Sequence, residues 1–163
     1  MYKRQSLAGR DVGLTLELGG KAANIVYEDA AIDQAVEGVV NGIFFNQGHV
    51  CCAGSRLLLQ ESIHDEFITK LEKRMQTLRV GNPLDKNTDI GAVNSKEQLN
   101  KIEELVNEGV SDGGKIFQTE CELPGNGFWF KPTLFTDVQP SYSIAREEIF
   151  GPVLTTLTFR TPQ

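Results

Sequence analysis

Short apolar runs alternate along this chain with longer stretches whose apolar residues recur every three to four positions, and that alternation leaves few architectures open. In the stretch after Asp29, the residues Ile32, Ala35, Val36, Val39, Val40 and Ile43 fall on one helical face, and the pattern stops at the polar, glycine-containing NQGH (46–49). SRLLLQ (55–60) then reads as a buried strand. A second helix follows, with Ser62 and Asp65 in capping-box spacing and a stripe of Phe67, Leu71, Met75 and Leu78 that ends before VGNPLD. A third helix is predicted from Asn94 or Ser95 to about Gly109, burying Leu99, Ile102 and Val106. Strands are predicted over GKIFQ (114–118), FWFKPTLF (128–135) and VLTTLTF (153–159). Leu14 to Tyr27 also reads as strand, interrupted by a turn at Gly19 and Gly20. Strands alternating with amphipathic helices predict an α/β layer fold in which the loops at element ends carry the chemistry.

Composition narrows the function. With 163 residues, 40% of them hydrophobic and 23% charged, the chain can bury a core and does not read as disordered. A net charge of −6 leaves no broad basic surface for a phosphate backbone, which argues against nucleic acid. The apolar runs all fall short of the roughly 20 residues of a membrane span, and the N-terminus has no signal-peptide core, so a cytoplasmic location and no membrane partner are expected. Three cysteines, two of them adjacent, do not form a disulfide framework, and free thiols are the simpler reading.

Among those thiols Cys51 stands out because it lies just past a helix end, after a glycine-containing turn. A thiol there is reactive if it is exposed near positive potential or backbone N–H groups, since the thiolate is the nucleophile. A buried structural cysteine is the commoner outcome, and the local residues leave both open. His49 and His64 have no partners at ligand spacing, so no metal is expected. LGGKA lacks the spacing and the Ser/Thr of a phosphate-binding P-loop. Cys121 reads as incidental and Arg56 as structural.

Three segments together carry a resemblance. FFNQGHVCCAGSR (44–56) resembles the nucleophile segment of the aldehyde dehydrogenase superfamily, LELGGK (16–21) its general-base motif, and EEIFGPV (147–153) its cofactor-contact motif. They occur in family order and at family-like separations, and the likeness runs from about Leu14 to Thr161. It implies a three-layer α/β/α catalytic domain, truncated. It also implies that Cys51, not Cys52, is the nucleophile, Glu17 the base that activates water, Glu148 the ligand of the nicotinamide ribose and Phe150 a wall of the nicotinamide site. Gln98 and Lys101, on the third helix, occupy places that approach the cofactor in some relatives, although a solvated helix face is the favoured explanation of both. The cofactor implied is NAD or NADP, the substrate a small-molecule aldehyde, and the parent enzyme a homo-oligomer.

The ending GPVLTTLTFRTP, with VCCAGSR, looks most like the family 16 branch. The opening MYKRQ does not resemble the family and reads as foreign to it. Residues 1–13 are thus expected to be a leader or partial preceding segment, and 14–163 an incomplete catalytic domain without its cofactor-binding half and C-terminal end. On that reading the chain alone is inactive. Two rivals stand beside aldehyde oxidation to an acid. One is the class that passes the acyl group to coenzyme A, whose members typically lack the glutamate that Glu17 matches. The other is a non-catalytic interaction module that has kept the fold.

Overall fold

The computed structural model describes residues 2–161, and of residues 2–4 the backbone alone. After a short helix α1 (Tyr2–Leu7) come β1 (Ala23–Val26), α2 (Ile32–Phe44), β2 (Arg56–Gln60), α3 (His64–Met75), α4 (Lys96–Ser111), β3 (Lys115–Gln118), β4 (Thr133–Thr136), α5 (Ser143–Arg146) and β5 (Val153–Phe159). The five strands form one sheet in the order β1-β2-β5-β4-β3, parallel except for β3, which runs antiparallel to β4.

The period-2 alternation of the strands sorts their side chains into two cores. Leu57, Leu59, Val26, Leu134 and Leu154 pack against α2 and α3, with Ile43, Phe67, Leu71 and Met75 from the helices. Phe135 and Val153, each next in sequence to one of those residues, point the other way into a cluster with Leu99, Ile102 and Val106 of α4 and Ile144 of α5. Helices therefore cover both faces of the sheet, giving the three layers. Chain direction accounts for the split. The β1-α2-β2 crossover moves along the sheet in the direction opposite to β4-α5-β5, and two right-handed crossovers of opposite direction place their helices on opposite faces.

The second face is only half covered. Ile25, Leu58 and Leu157 lie in one register row across β1, β2 and β5, with Ile25 50% exposed. In the next row Tyr27 meets Phe159 edge-on at 5.3 Å.

Local readings needed three corrections. Ser62 does not cap α3. A 3-10 turn over Glu61–Ile63 leads into the helix, and the Ser62 hydroxyl donates to Glu28 across the chain instead. Residues 12–22 form no strand, with Leu14, Leu16 and Leu18 exposed, and pairing with β2 begins at the Ala22 carbonyl, which accepts from the Arg56 N–H. The FWFKPTLF run forms a strand only from Thr133, since Pro132 has no N–H to give to a ladder. By contrast, Ser95 caps α4 by accepting from the Gln98 N–H, at the predicted start. Among the described residues no helix is long and apolar enough to cross a membrane.

Candidate active site

The parallel strands β1, β2 and β5 are neighbours, so the segments that enter them arrive side by side at one end of the sheet. Those segments are the three motifs: LELGGK enters β1, the Cys51 loop enters β2, and EEIFGP enters β5. A shallow recess forms where they meet. Its walls are Gly20 from the first, Gly48, Val50, Cys51, Ala53 and Ser55 from the second, and Glu148, Phe150 and Gly151 from the third. Cys51 is exposed, as a nucleophile must be, and so is Cys52.

The turn before Cys51 is tightly wound. Asn46, Gln47 and Gly48 all take positive φ (49°, 58° and 73°), a conformation that costs a non-glycine residue roughly 1–2 kcal/mol. Partners hold it there. The His49 N–H donates to the Asn46 carbonyl, the Asn46 side chain donates to the His49 carbonyl at 3.3 Å, and the Gln47 side-chain oxygen accepts from the Gly91 N–H at 3.0 Å. Gly48 has a second reason to be glycine, because a Cβ there would overlap the carbonyl of Gly151. The absence of that one carbon lets the turn before Cys51 lie against the Phe150 loop.

Phe150 itself has φ 56°, an unusual value for a bulky residue. Gln98 secures its loop from α4, its side-chain N–H group donating to the carbonyls of Ile149 (2.8 Å) and Phe150 (3.1 Å). That amide is committed to the loop backbone, a role that sequence reading missed because no short-range pattern links positions 52 apart. Lys101, one turn further along α4, is exposed and outside the recess. Glu148 lies beneath the LGGK turn, with its carboxylate against Gly19.

A buried cation cluster adjoins Glu148. The Lys21 ammonium and the Arg56 Nε are both buried without a hydrogen-bond partner among the described residues. Burial lowers the Lys21 pKa from 10.5 to about 8; the positive charge of Arg56 acts in the same direction and Glu148 opposes them. Sequence gave no sign of this pairing, since Lys21 and Arg56 come together only where β1 and β2 align.

Glu17 is placed differently from the other candidates. It is exposed on the unpaired stretch before β1, and from its motif Gly20, not Glu17, lines the recess. The two are three positions apart, a reach of at most roughly 10 Å. Cys121 is far from this site in its contacts, its sulfur lying 3.4 Å from the Thr119 hydroxyl. Among the described residues no group of three or more His, Cys, Asp or Glu side chains could hold a metal.

Comparison with known proteins agrees with this arrangement. The model of the aldehyde dehydrogenase family matches residues 4–163, starting inside the opening segment that carries no motif. Retinal dehydrogenase 2 of Taeniopygia guttata is 46% identical over 162 residues, covering 96% of this chain and 31% of its own length. An aldehyde dehydrogenase of Emericella nidulans is 47% identical over 148 residues, covering 90% of this chain and 30% of its own. Among solved structures, the NAD-dependent aldehyde dehydrogenase from Sinorhizobium meliloti superposes with a TM-score of 0.90 at 41% identity, over 98% of this chain and 32% of that one. Betaine aldehyde dehydrogenase from Staphylococcus aureus in complex with NAD+ gives 0.84 at 40% identity, over 89% of this chain and 30% of that one. The chain thus spans about three-tenths of the length of these relatives. With a family match over nearly every residue and the motifs gathered at one end of a shared fold, the chain belongs to the aldehyde dehydrogenase family.

Proposed function

We propose that this chain carries the nucleophile and part of the nicotinamide site of an enzyme that oxidises aldehydes to carboxylic acids with NAD or NADP. The observation that supports the reading most directly is the shared recess: Cys51, Glu148 and Phe150, from segments about 100 residues apart, line one cavity beside the LGGK turn.

In this reading the Cys51 thiolate attacks the aldehyde carbonyl carbon, forming a C–S bond and an oxyanion that the Cys51 backbone N–H helps to hold. Glu148 and Phe150 would hold the nicotinamide end of the dinucleotide, which would supply the acceptor for the hydride lost from this carbon as the thioester forms. Glu17 then takes a proton from water, which adds to the thioester carbonyl. The C–S bond breaks, the acid departs and Cys51 is restored as thiolate. Glu17 is suited by its place on the segment whose Gly20 walls the recess. Because the coenzyme-A-dependent class typically lacks this glutamate, its presence favours hydrolysis. The half-buried carboxylate–aromatic pair Glu148 and Phe150 fits the nicotinamide riboside, one residue accepting from ribose hydroxyls and the other offering a flat apolar wall. Gln98 serves that site through the loop it holds, whereas Lys101, exposed on the same helix, lies outside the recess.

Brief exposure of the chain to iodoacetamide, followed by peptide mass spectrometry, tests the assignment of the nucleophile. Preferential labelling of Cys51 over Cys52 and Cys121 is expected. Equal labelling of the three thiols would overturn it.

A further inference from the structure

His49 sits two residues before the nucleophile, and its imidazole is held from three directions. Its ring stacks on Phe150 with centroids 5.3 Å apart and planes inclined by 30°. Nδ1 lies 3.3 Å from the Gln47 carbonyl, and Nε2 accepts from the Asn94 backbone N–H at 3.4 Å. The two hydrogen bonds fix the proton. A carbonyl at Nδ1 requires a donor there, and an N–H aimed at Nε2 requires a lone pair, so the ring is the neutral tautomer with its proton on Nδ1. The contacts also tie three elements together. Gln47 belongs to the turn that carries Cys51, Asn94 adjoins the Ser95 cap of α4, and Phe150 is in the loop that Gln98 holds from that helix.

We propose that His49 is a positioning residue for the Cys51 recess: its neutral imidazole braces the Phe150 wall against the nucleophile turn, and protonation of the ring releases that brace. A second proton on Nε2 would set two N–H groups face to face at Asn94, removing the hydrogen bond that the ring accepts from the backbone at the start of α4. Phe150 then loses the support beneath its ring, and the turn leading to Cys51 loses its tie to the same helix. The groups packed on the imidazole are uncharged from every side: Gln47 on its own turn, Asn94 before α4 and Phe150 before β5. Neither Lys96 at the start of α4 nor Glu147 and Glu148 in the Phe150 loop contributes to its titration, which burial holds below the ordinary histidine range against the opposing pull of the Gln47 carbonyl and the Asn94 side chain. This inference rests on Cys51 being the nucleophile and adds the group that keeps its site in shape.

The test is the ratio of iodoacetamide labelling at Cys51 to that at Cys52 in the full chain, followed from pH 5.5 to 8. The titration of His49 is read in parallel by NMR, its signal assigned by comparison with His49→Gln. In the unchanged chain the ratio should fall about threefold or more as pH drops through the His49 titration. His49→Gln keeps a side-chain acceptor and donor but cannot titrate, so its ratio should stay high without that inflection. His49→Ala should show the low ratio throughout. An inflection that persists in His49→Gln, or a ratio in His49→Ala equal to that of the unchanged chain at pH 7.5, would overturn the proposal. Equal labelling of the two thiols in the unchanged chain would instead remove the nucleophile assignment and this inference with it.

Discussion

At the scale of single residues, the site depends on groups whose value lies in what they lack or refuse. Gly48 lacks the carbon that would strike the Gly151 carbonyl, and its φ of 73° is one that a side chain resists. Gly48→Ala should therefore destabilise the chain by more than the roughly 1–2 kcal/mol of the left-handed conformation alone, and should erase preferential labelling of Cys51. Chemical denaturation with thiol mapping checks both effects. Lys21 refuses its proton earlier than a free amine. Between pH 8 and 10.5 the unfolded chain still holds the proton that the folded chain has released, so the stability contributed by this residue rises with pH across that window. At pH 7 both states are protonated and the folded one bears the cost of burying an unpartnered ammonium. Lys21→Met is expected to raise the melting temperature at pH 7 and to flatten the rise between pH 8 and 10.5. For His49 the folded value is again depressed, but the window is acidic. Its contribution is complete above about pH 6.5, the ordinary value, and is lost as pH falls through the lower folded value. Thermal melts of His49→Gln should lack that part of the acid instability.

At the scale of elements, α4 does more than cover a sheet face. Its Ser95 cap fixes where the helix starts, and that start aims Gln98 at the Ile149 and Phe150 carbonyls and the Asn94 N–H at His49. Replacing the cap by Ser95→Ala should cost about 1 kcal/mol, as helix caps commonly do, visible as a lower urea midpoint with an unchanged slope. Gln98→Ala leaves the cap intact but strips the loop of two hydrogen bonds. It should cost on the order of 1–2 kcal/mol and also reduce the preference for Cys51. The predicted capping box at Ser62 failed because Ser62 lies inside the 3-10 turn before α3, where its hydroxyl donates to the Glu28 carboxylate. Local spacing cannot see a partner 34 residues away.

At the scale of the whole molecule, the sheet is finished on one face and open on half of the other. Ile25, Leu58 and Leu157 form an apolar row there, Tyr27 and Phe159 extend it, and the alternating Leu14, Leu16 and Leu18 stand unpaired nearby in sequence. Exposed apolar patches and unpaired strand backbone favour association. Sedimentation velocity should show concentration-dependent self-association of the chain, reduced by Ile25→Lys and Leu157→Lys together. A clean monomer at high concentration would contradict this. Because the chain spans about three-tenths of its relatives, it is expected to show no NAD-dependent oxidation of aldehydes by itself, followed as the absence of nicotinamide reduction at 340 nm, a wavelength set by the cofactor's chemistry.

The chemistry-bearing residue types and the elements that carry them were legible in the order of amino acids. The helical stripe of Ile32 to Ile43 ended at the turn it predicted, Ser95 capped the helix assigned to it, and Cys51 and the EEIFGP segment stood out as motifs. Such features are set by periodicity and by contacts between near neighbours, which a linear reading contains. Tertiary structure alone decided that β1, β2 and β5 are adjacent and parallel. That order brings three distant segments to one end of the sheet, puts Lys21 beside Arg56 and lays His49 against Phe150. Strand order is selected by the packing of the whole core, and no window of sequence contains that information.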